Sequence, residues 1–306
     1  MYKNKMTQFR FINRMKGYFE ILRVYQWYKN LVVFLPIFFA GELLYPKAIE
    51  LTALGFLALC LVSSANYVLN DIIDRRRDRI HPEKKFRPLA SKIISLPEAM
   101  IIFILTLIIG LFISIKLNYV FFLFVLILFL LTTVYTLWLK KEPIVDIITI
   151  SVNFVIRAIS GAFIMSILIS PWLIVCPLFV AIVLGLGKRA SDLKLMKGDA
   201  IKHKEVLKVY TPEITNALMI ISTACLIMAY SLYALSKSGW LLITLPFAIY
   251  TIFRYYQLVN QESEIARNPE RFYKDTRILT AMILWAIILF LVVYFIPHDT
   301  SAIFLK

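Results

Sequence analysis

The sequence predicts an all-α fold, a polytopic membrane bundle of about nine transmembrane helices around a central cavity. Three observations lead there. Of the 306 residues, 60% are hydrophobic and 23 are Phe, with a mean hydropathy of +0.76, whereas a soluble domain is roughly 45–50% apolar. The apolar residues come in runs near the roughly 20 that carry a helix across a bilayer, without the alternation that membrane strands require. Positive charge is concentrated in every second connecting segment.

Taken in order, the runs fall at about 31–46, 51–70, 97–115, 118–139, 144–169, 171–187, 214–235, 239–257 and 278–296. Lys and Arg number 7 before residue 30, 8 over 75–92, 2 at 140–141, 7 over 188–208 and 5 over 254–277, which is 29 of the 34. Basic residues stay on the cytoplasmic side of a membrane. Nine spans with the N-terminus inside satisfy that pattern, in one integral domain over 1–306 of a plasma or inner membrane. Residues 1–30 read as a basic interfacial segment without a cleavable signal peptide. The longer inner loops are 71–96 and 188–213. The net charge of +15 follows from this topology, and no nucleic-acid motif accompanies it. Cys60, Cys176 and Cys225 each lie inside an apolar run and read as small core residues.

The chemistry concentrates where the second run ends, at Asn70-Asp71-Ile72-Ile73-Asp74-Arg75-Arg76-Arg77-Asp78. If the helix continues through Asp78, then Asn70, Asp74 and Asp78 recur at i, i+4 and i+8 and form a column of oxygen ligands. Neighbouring carboxylates repel unless a cation lies between them. Oxygen-only ligands suit Mg²⁺ sharing its coordination with diphosphate. The plainer alternative is a solvated helix end with internal ion pairs. It is weakened by the four-residue spacing and by the basic Lys84-Lys85-Phe86-Arg87 that follows.

A second polar stretch, Gly187-Lys188-Arg189-Ala190-Ser191-Asp192, again puts Lys188 and Asp192 four apart. Facing the first across the cavity, it could hold the other end of a diphosphate, or it is simply a basic topogenic loop. Within a span, Asp146, Asn153 and Arg157 share one stripe, and a charge at that depth needs a wet cavity or a partner. The Arg157 fork suits a phosphate, or it pairs with a buried acid. Gln26, Trp27, Lys29 and Asn30 supply polar groups at the inner interface.

These residues resemble the UbiA superfamily of intramembrane prenyltransferases, whose first signature, Asn-Asp-x-x-Asp-x-x-x-Asp, is complete from Asn70 to Asp78. His81-Pro82-x-Lys84-x-Phe86-Arg87-Pro88, Gln26-Trp27-x-Lys29-Asn30, Glu142-Pro143-x-x-Asp146 and Gly187-Lys188-Arg189 are similar to the branch of decaprenyl-phosphate phosphoribosyltransferases. One departure stands out: members using prenyl diphosphates carry a second Asp-x-x-x-Asp, and here Lys188 occupies its first position. The resemblance implies transfer of phosphoribose from phosphoribosyl diphosphate to a polyprenyl phosphate, for cell-envelope glycolipid synthesis, by a protein compatible with a homo-oligomeric state. It implies Asn70, Asp74, Asp78 and Asp192 as Mg²⁺ ligands, with Asp74, Asp78 and Lys188 in the catalytic role. Lys84, Arg87, Lys188 and Arg189 would then neutralise donor phosphates, and Lys29, Asn30 and Arg157 would meet the substrates at the membrane boundary.

Two other readings compete. A prenyltransferase acting on an aromatic acceptor would use the same acid column to ionise an allylic diphosphate. A transporter or lipid-binding protein would place ion sites near the midplane, whereas these acids crowd one rim.

Overall fold

The computed structural model describes residues 14–195, 209–261 and 263–296. Residues 1–13 of the expected interfacial segment and 196–208 of the second loop lie outside it. Every regular element among the described residues is helical. Among the described residues eight helices are long and apolar enough to cross a membrane, and the protein is a multi-pass membrane protein.

The chain divides into two compact units, residues 1–137 with 156–168, and 138–155 with 169–306. In the first unit a short helix, α1 (residues 14–22), leads into a 3-10 helix, Val24–Phe34, and then α2 (Leu35–Phe39). This is where the first span was expected. A 3-10 helix rises about 2.0 Å per residue, so its 11 residues and the five of α2 reach about 30 Å, close to the hydrocarbon thickness. The segment packs on α6 (Val145–Ile164) through Gly161. A Cβ placed there would overlap the Val33 carbonyl oxygen, so only Gly permits the approach.

Proline sets most helix starts, because the amide it lacks would be unpaired there anyway. Pro46 opens α3 (Pro46–Ile80), and Pro97 opens α4 (Leu96–Leu117) behind a capping box in which the Ser95 and Glu98 side chains each take the other's backbone N–H. α5 (Tyr119–Leu137) completes the unit's spans. α3 has 35 residues and is about 50 Å long, well beyond a hydrocarbon layer of about 30 Å. Its last turns, where the sequence reading drew a loop from residue 71, therefore continue as helix past the apolar zone. The α3 end is fastened by Ile21, Val68, Leu89, Ile94 and Ala99, a cluster that joins α1 and the loop 87–95 to it.

The second unit contains the first half of α6, then α7 (Trp172–Leu195), α8 (Pro212–Lys237), a 3-10 turn (Gly239–Thr244), α9 (Leu245–Asn260), α10 (Glu264–Arg267) and α11 (Thr276–Phe295). Ile147, Leu186, Met219, Tyr255 and Ala266 belong to its core. Gly187 lets the Tyr255 phenol lie against α7, since a Cβ at 187 would overlap it. That phenol donates to the carbonyls of Leu184 and Ala266, 3.3 Å each, and so ties α10 to the polar end of α7. Burial separates the roles of the spans: 67% of the apolar window of α6 is buried but only 11% of that of α4, whose large side chains face lipid.

Candidate active site

The polar end of α3 carries the first cluster. Asp71 and Asp78 are seven residues apart, which returns to within about 20° of the same direction on a helix, and both are buried. Two buried carboxylates on one face require cations. Arg87, from the loop beyond α3, provides one: its Nη1 donates to Asp71 Oδ1 at 3.1 Å and to Asp78 Oδ2 at 2.8 Å. Arg23 provides the other, its Nη2 donating to Asp71 Oδ1 at 2.6 Å while its guanidinium lies 4.7 Å from the Tyr67 ring centroid. Arg23 sits at φ +49°, in the left-handed region that a non-glycine residue enters at a cost. Asn70, Asp74 and Lys84 are half-buried on the same helix end and following turn.

The acid column expected from the sequence is thus divided. Asp78 stands with Asp71 against Arg87, while Asn70 and Asp74 lie on successive turns beside them. Asp71, which the sequence reading left out of the site, is the residue that collects both arginines. Its i, i+7 relation to Asp78 was the available signal, a tighter alignment than the i, i+8 of Asn70 and Asp78. Among the described residues no three His, Cys, Asp or Glu side chains converge to enclose a metal. The set Asn70, Asp74 and Asp78 still fits a hard cation of the kind that takes one or two carboxylates and fills its shell with phosphate oxygens and water.

Within the apolar part of the first unit, Arg157 is 8% exposed and its Nε donates to Asn30 Oδ1 at 2.9 Å. Ser63 donates to the same oxygen at 3.4 Å, and Asn30 Nδ2 donates to Cys60 Sγ at 3.3 Å. The Asn30 amide is engaged on both sides, so it acts on Arg157, whose fork it orients. Trp27 Nε1 donates to Ser64 Oγ at 3.1 Å, and Lys29 Nζ to Gln26 Oε1 at 3.1 Å. Asn153 donates to its own helix, at Thr149 O.

The second unit holds the other cluster. Asp146 is fully buried and accepts Arg189 Nε at 3.1 Å and Nη2 at 2.6 Å on Oδ2. On Oδ1 it accepts the Tyr210 hydroxyl at 2.7 Å. Burial first, and then the adjacent Asp146 carboxylate, hold the Tyr210 phenol above its usual range, so it remains a donor. The Tyr210 oxygen in turn accepts the Ile144 N–H at 2.7 Å. Ile144 is held at φ +65°, an outlier for a β-branched residue. Arg189 was expected at a donor phosphate, but the structure gives its fork to Asp146 and leaves Lys188 exposed. Asp192, 1% exposed, accepts Arg267 Nε at 2.9 Å on Oδ1, and Arg189 Nη1 lies 3.8 Å from its Oδ2. Arg267 comes from α10 and was not among the residues singled out from the sequence.

The model of the UbiA prenyltransferase family matches residues 31–274. A decaprenyl-phosphate phosphoribosyltransferase from Mycolicibacterium smegmatis is 28% identical over 89% of this chain and 90% of its own length. A protein of the same name from Corynebacterium glutamicum is 27% identical over 93% and 89%. The fold matches a UbiA homologue from Archaeoglobus fulgidus solved with DMAPP and Mg²⁺, with a TM-score of 0.69 and 20% identity over 92% of this chain and 100% of that one. The chain belongs to the UbiA prenyltransferase family.

Proposed function

We propose that the protein transfers phosphoribose from 5-phosphoribosyl 1-diphosphate to a polyprenyl phosphate and releases diphosphate. The observation that carries this reading is the mixed charge of the α3 end, where Arg23 and Arg87 pair with Asp71 and Arg87 also with Asp78, on the helix end that carries Asn70 and Asp74. Such an end suits a diphosphate bound through a divalent cation and flanked by guanidinium groups. The replacement of an acid by Lys188, and the names of the two bacterial relatives, favour this donor over a prenyl diphosphate.

Asn70, Asp74 and Asp78 would hold Mg²⁺. When bound, the ion neutralises the charge that develops on the departing diphosphate. Lys84 and Arg87 neutralise the same group from the protein side, so that charge is met by preset donors where it appears. Asp71 holds Arg23 and Arg87 in place. The acceptor is a phosphate monoester already ionised at neutral pH, so its oxygen attacks the anomeric carbon without a general base. Arg157, aimed by Asn30, and Lys29 are assigned to the acceptor phosphate. In the second cluster Lys188 is assigned a phosphate contact, with Arg189 as a positioning residue through Asp146. The polar ends of α3 and α7 would face the cytoplasm, as the charge distribution of the sequence requires.

A feeding experiment tests the reading. Membranes containing the protein, given labelled phosphoribosyl diphosphate and a polyprenyl phosphate, are expected to form a labelled lipid, and Asp74→Ala to reduce its formation by roughly 10²-fold or more. Labelled prenyl diphosphate with hydroxybenzoate is expected to yield nothing. Reversal of the two arms would assign the protein to aromatic prenylation instead.

A further inference from the structure

The second cluster has the wrong charge for a metal site. Three cations, Lys188, Arg189 and Arg267, accompany two carboxylates, Asp146 and Asp192. Asp146 is consumed by the Arg189 fork and the Tyr210 hydroxyl. Asp192 has a guanidinium within 4 Å of each oxygen, 2.9 Å from Arg267 and 3.8 Å from Arg189. A divalent ion placed against Asp192 would displace those pairs and sit among like charges. No third acid, His or Cys joins them among the described residues.

Arg267 differs from Arg189 in what its pairing leaves over. It binds Asp192 through Nε alone. Its Nη1 and Nη2 groups have no partner among the described residues, and its side chain is 32% exposed. Glu264, one turn earlier and the nearest acid on the same helix, is taken by Arg271 at 2.7 Å. A guanidinium anchored at Nε and open at both Nη groups presents the edge that engages two oxygens of a phosphate together. Lys188 adds a second cation on the exposed side of α7, one turn from Asp192 and so on the same helix face.

We infer that this cluster binds the phosphate group of a soluble phosphate ester directly and without a metal, with Arg267 as the phosphate-binding residue and Asp192 as the carboxylate that positions it. This rests on the proposed reaction only in taking the ester to be the donor's 5-phosphate. Asp192 therefore leaves the set of expected metal ligands, and the second acid motif of prenyl-diphosphate enzymes becomes here an anion site.

The test uses the full chain in phosphatidylcholine nanodiscs with EDTA present, titrated calorimetrically with ribose 5-phosphate, which lacks the diphosphate. Binding is expected without metal. It should weaken about tenfold or more in Arg267→Ala, recover in part in Arg267→Lys, weaken severalfold in Asp192→Asn and remain unchanged in Asp74→Asn. In the transfer assay, the Mg²⁺ concentration for half-maximal rate should rise in Asp74→Asn and not in Asp192→Asn. The inference is overturned if ribose 5-phosphate binds only when Mg²⁺ is added, or if Arg267→Ala, with an unaltered thermal melt, binds as wild type does. It is also overturned if the variant loses only geranyl phosphate incorporated in the discs, which would assign the site to a lipid phosphate. Arg267-dependent binding together with absent phosphoribosyl transfer would uphold the anion site and discard the reaction.

Discussion

Asp71 accepts from two guanidinium groups on a single oxygen, and its side chain is 3% exposed. Removing one member of a buried ion pair leaves the remaining charge unmatched, so Asp71→Ala is expected to destabilise the protein by about 3 kcal/mol, read as a lower thermal midpoint in detergent. Asp71→Asn keeps an acceptor oxygen and should cost less. A residue that holds the metal is expected to show a large change in Mg²⁺ requirement, which is the expectation for Asp74→Asn. The distinction matters because both residues belong to one signature. What separates them is where Arg23 and Arg87 go. Arg23 is 48 residues from Asp71 and Arg87 is 16, so neither pairing can be read from helical spacing.

At the scale of elements, two joints carry the geometry. The 3-10 helix Val24–Phe34 lies against α6 because Gly161 has no side chain, and Gly161→Ala would push a methyl into the Val33 backbone. Overpacking of this kind costs about 1–3 kcal/mol, and because the same segment carries Asn30, the variant should lose activity along with stability. The second joint closes α11: Asp275 caps it by accepting the Ile278 N–H at 2.9 Å and accepts Arg254 Nη2 at 2.8 Å. Burial pushes the Asp275 carboxyl up, but Arg254 and the backbone donors outweigh it and hold it below its ordinary value. Its charge therefore stabilises the folded state above the unfolded carboxylate value of about 4. That contribution is lost as pH falls through the lower folded value. The melting difference between wild type and Asp275→Asn is expected to be constant near neutrality and to shrink below about pH 4. A constant difference down to pH 2 would contradict the pairing.

For the whole molecule, the spans were legible because lipid imposes one simple demand, a long apolar helix with its backbone bonds closed internally. Hydropathy therefore located α4 to α6, α8, α9 and α11 within a few residues, and the start of α7. It misread Val24–Phe39 because a 3-10 helix covers the same distance with fewer residues. It also placed the end of α3 too early, because charged residues that pair with one another remain helical beyond the membrane. The first signature was legible because it is local, one residue per turn. Arg267, Tyr210 and the pairing of Asp146 with Arg189 were not, because each depends on where a distant segment folds back. Asp146 and Arg157 share a stripe in sequence, yet each bonds within its own unit, to Arg189 for one and to Asn30 for the other.

The most direct measurement is transfer of label from 5-phosphoribosyl 1-diphosphate to a polyprenyl phosphate by the purified protein in nanodiscs, with a chelator control and Asp74→Asn beside the wild type. The expected outcome is a labelled phosphoribosyl lipid from the wild type that is lost with chelator and sharply reduced in the variant at the same Mg²⁺ concentration. Equal labelling in wild type and Asp74→Asn, or label entering lipid only from a prenyl diphosphate, would contradict it.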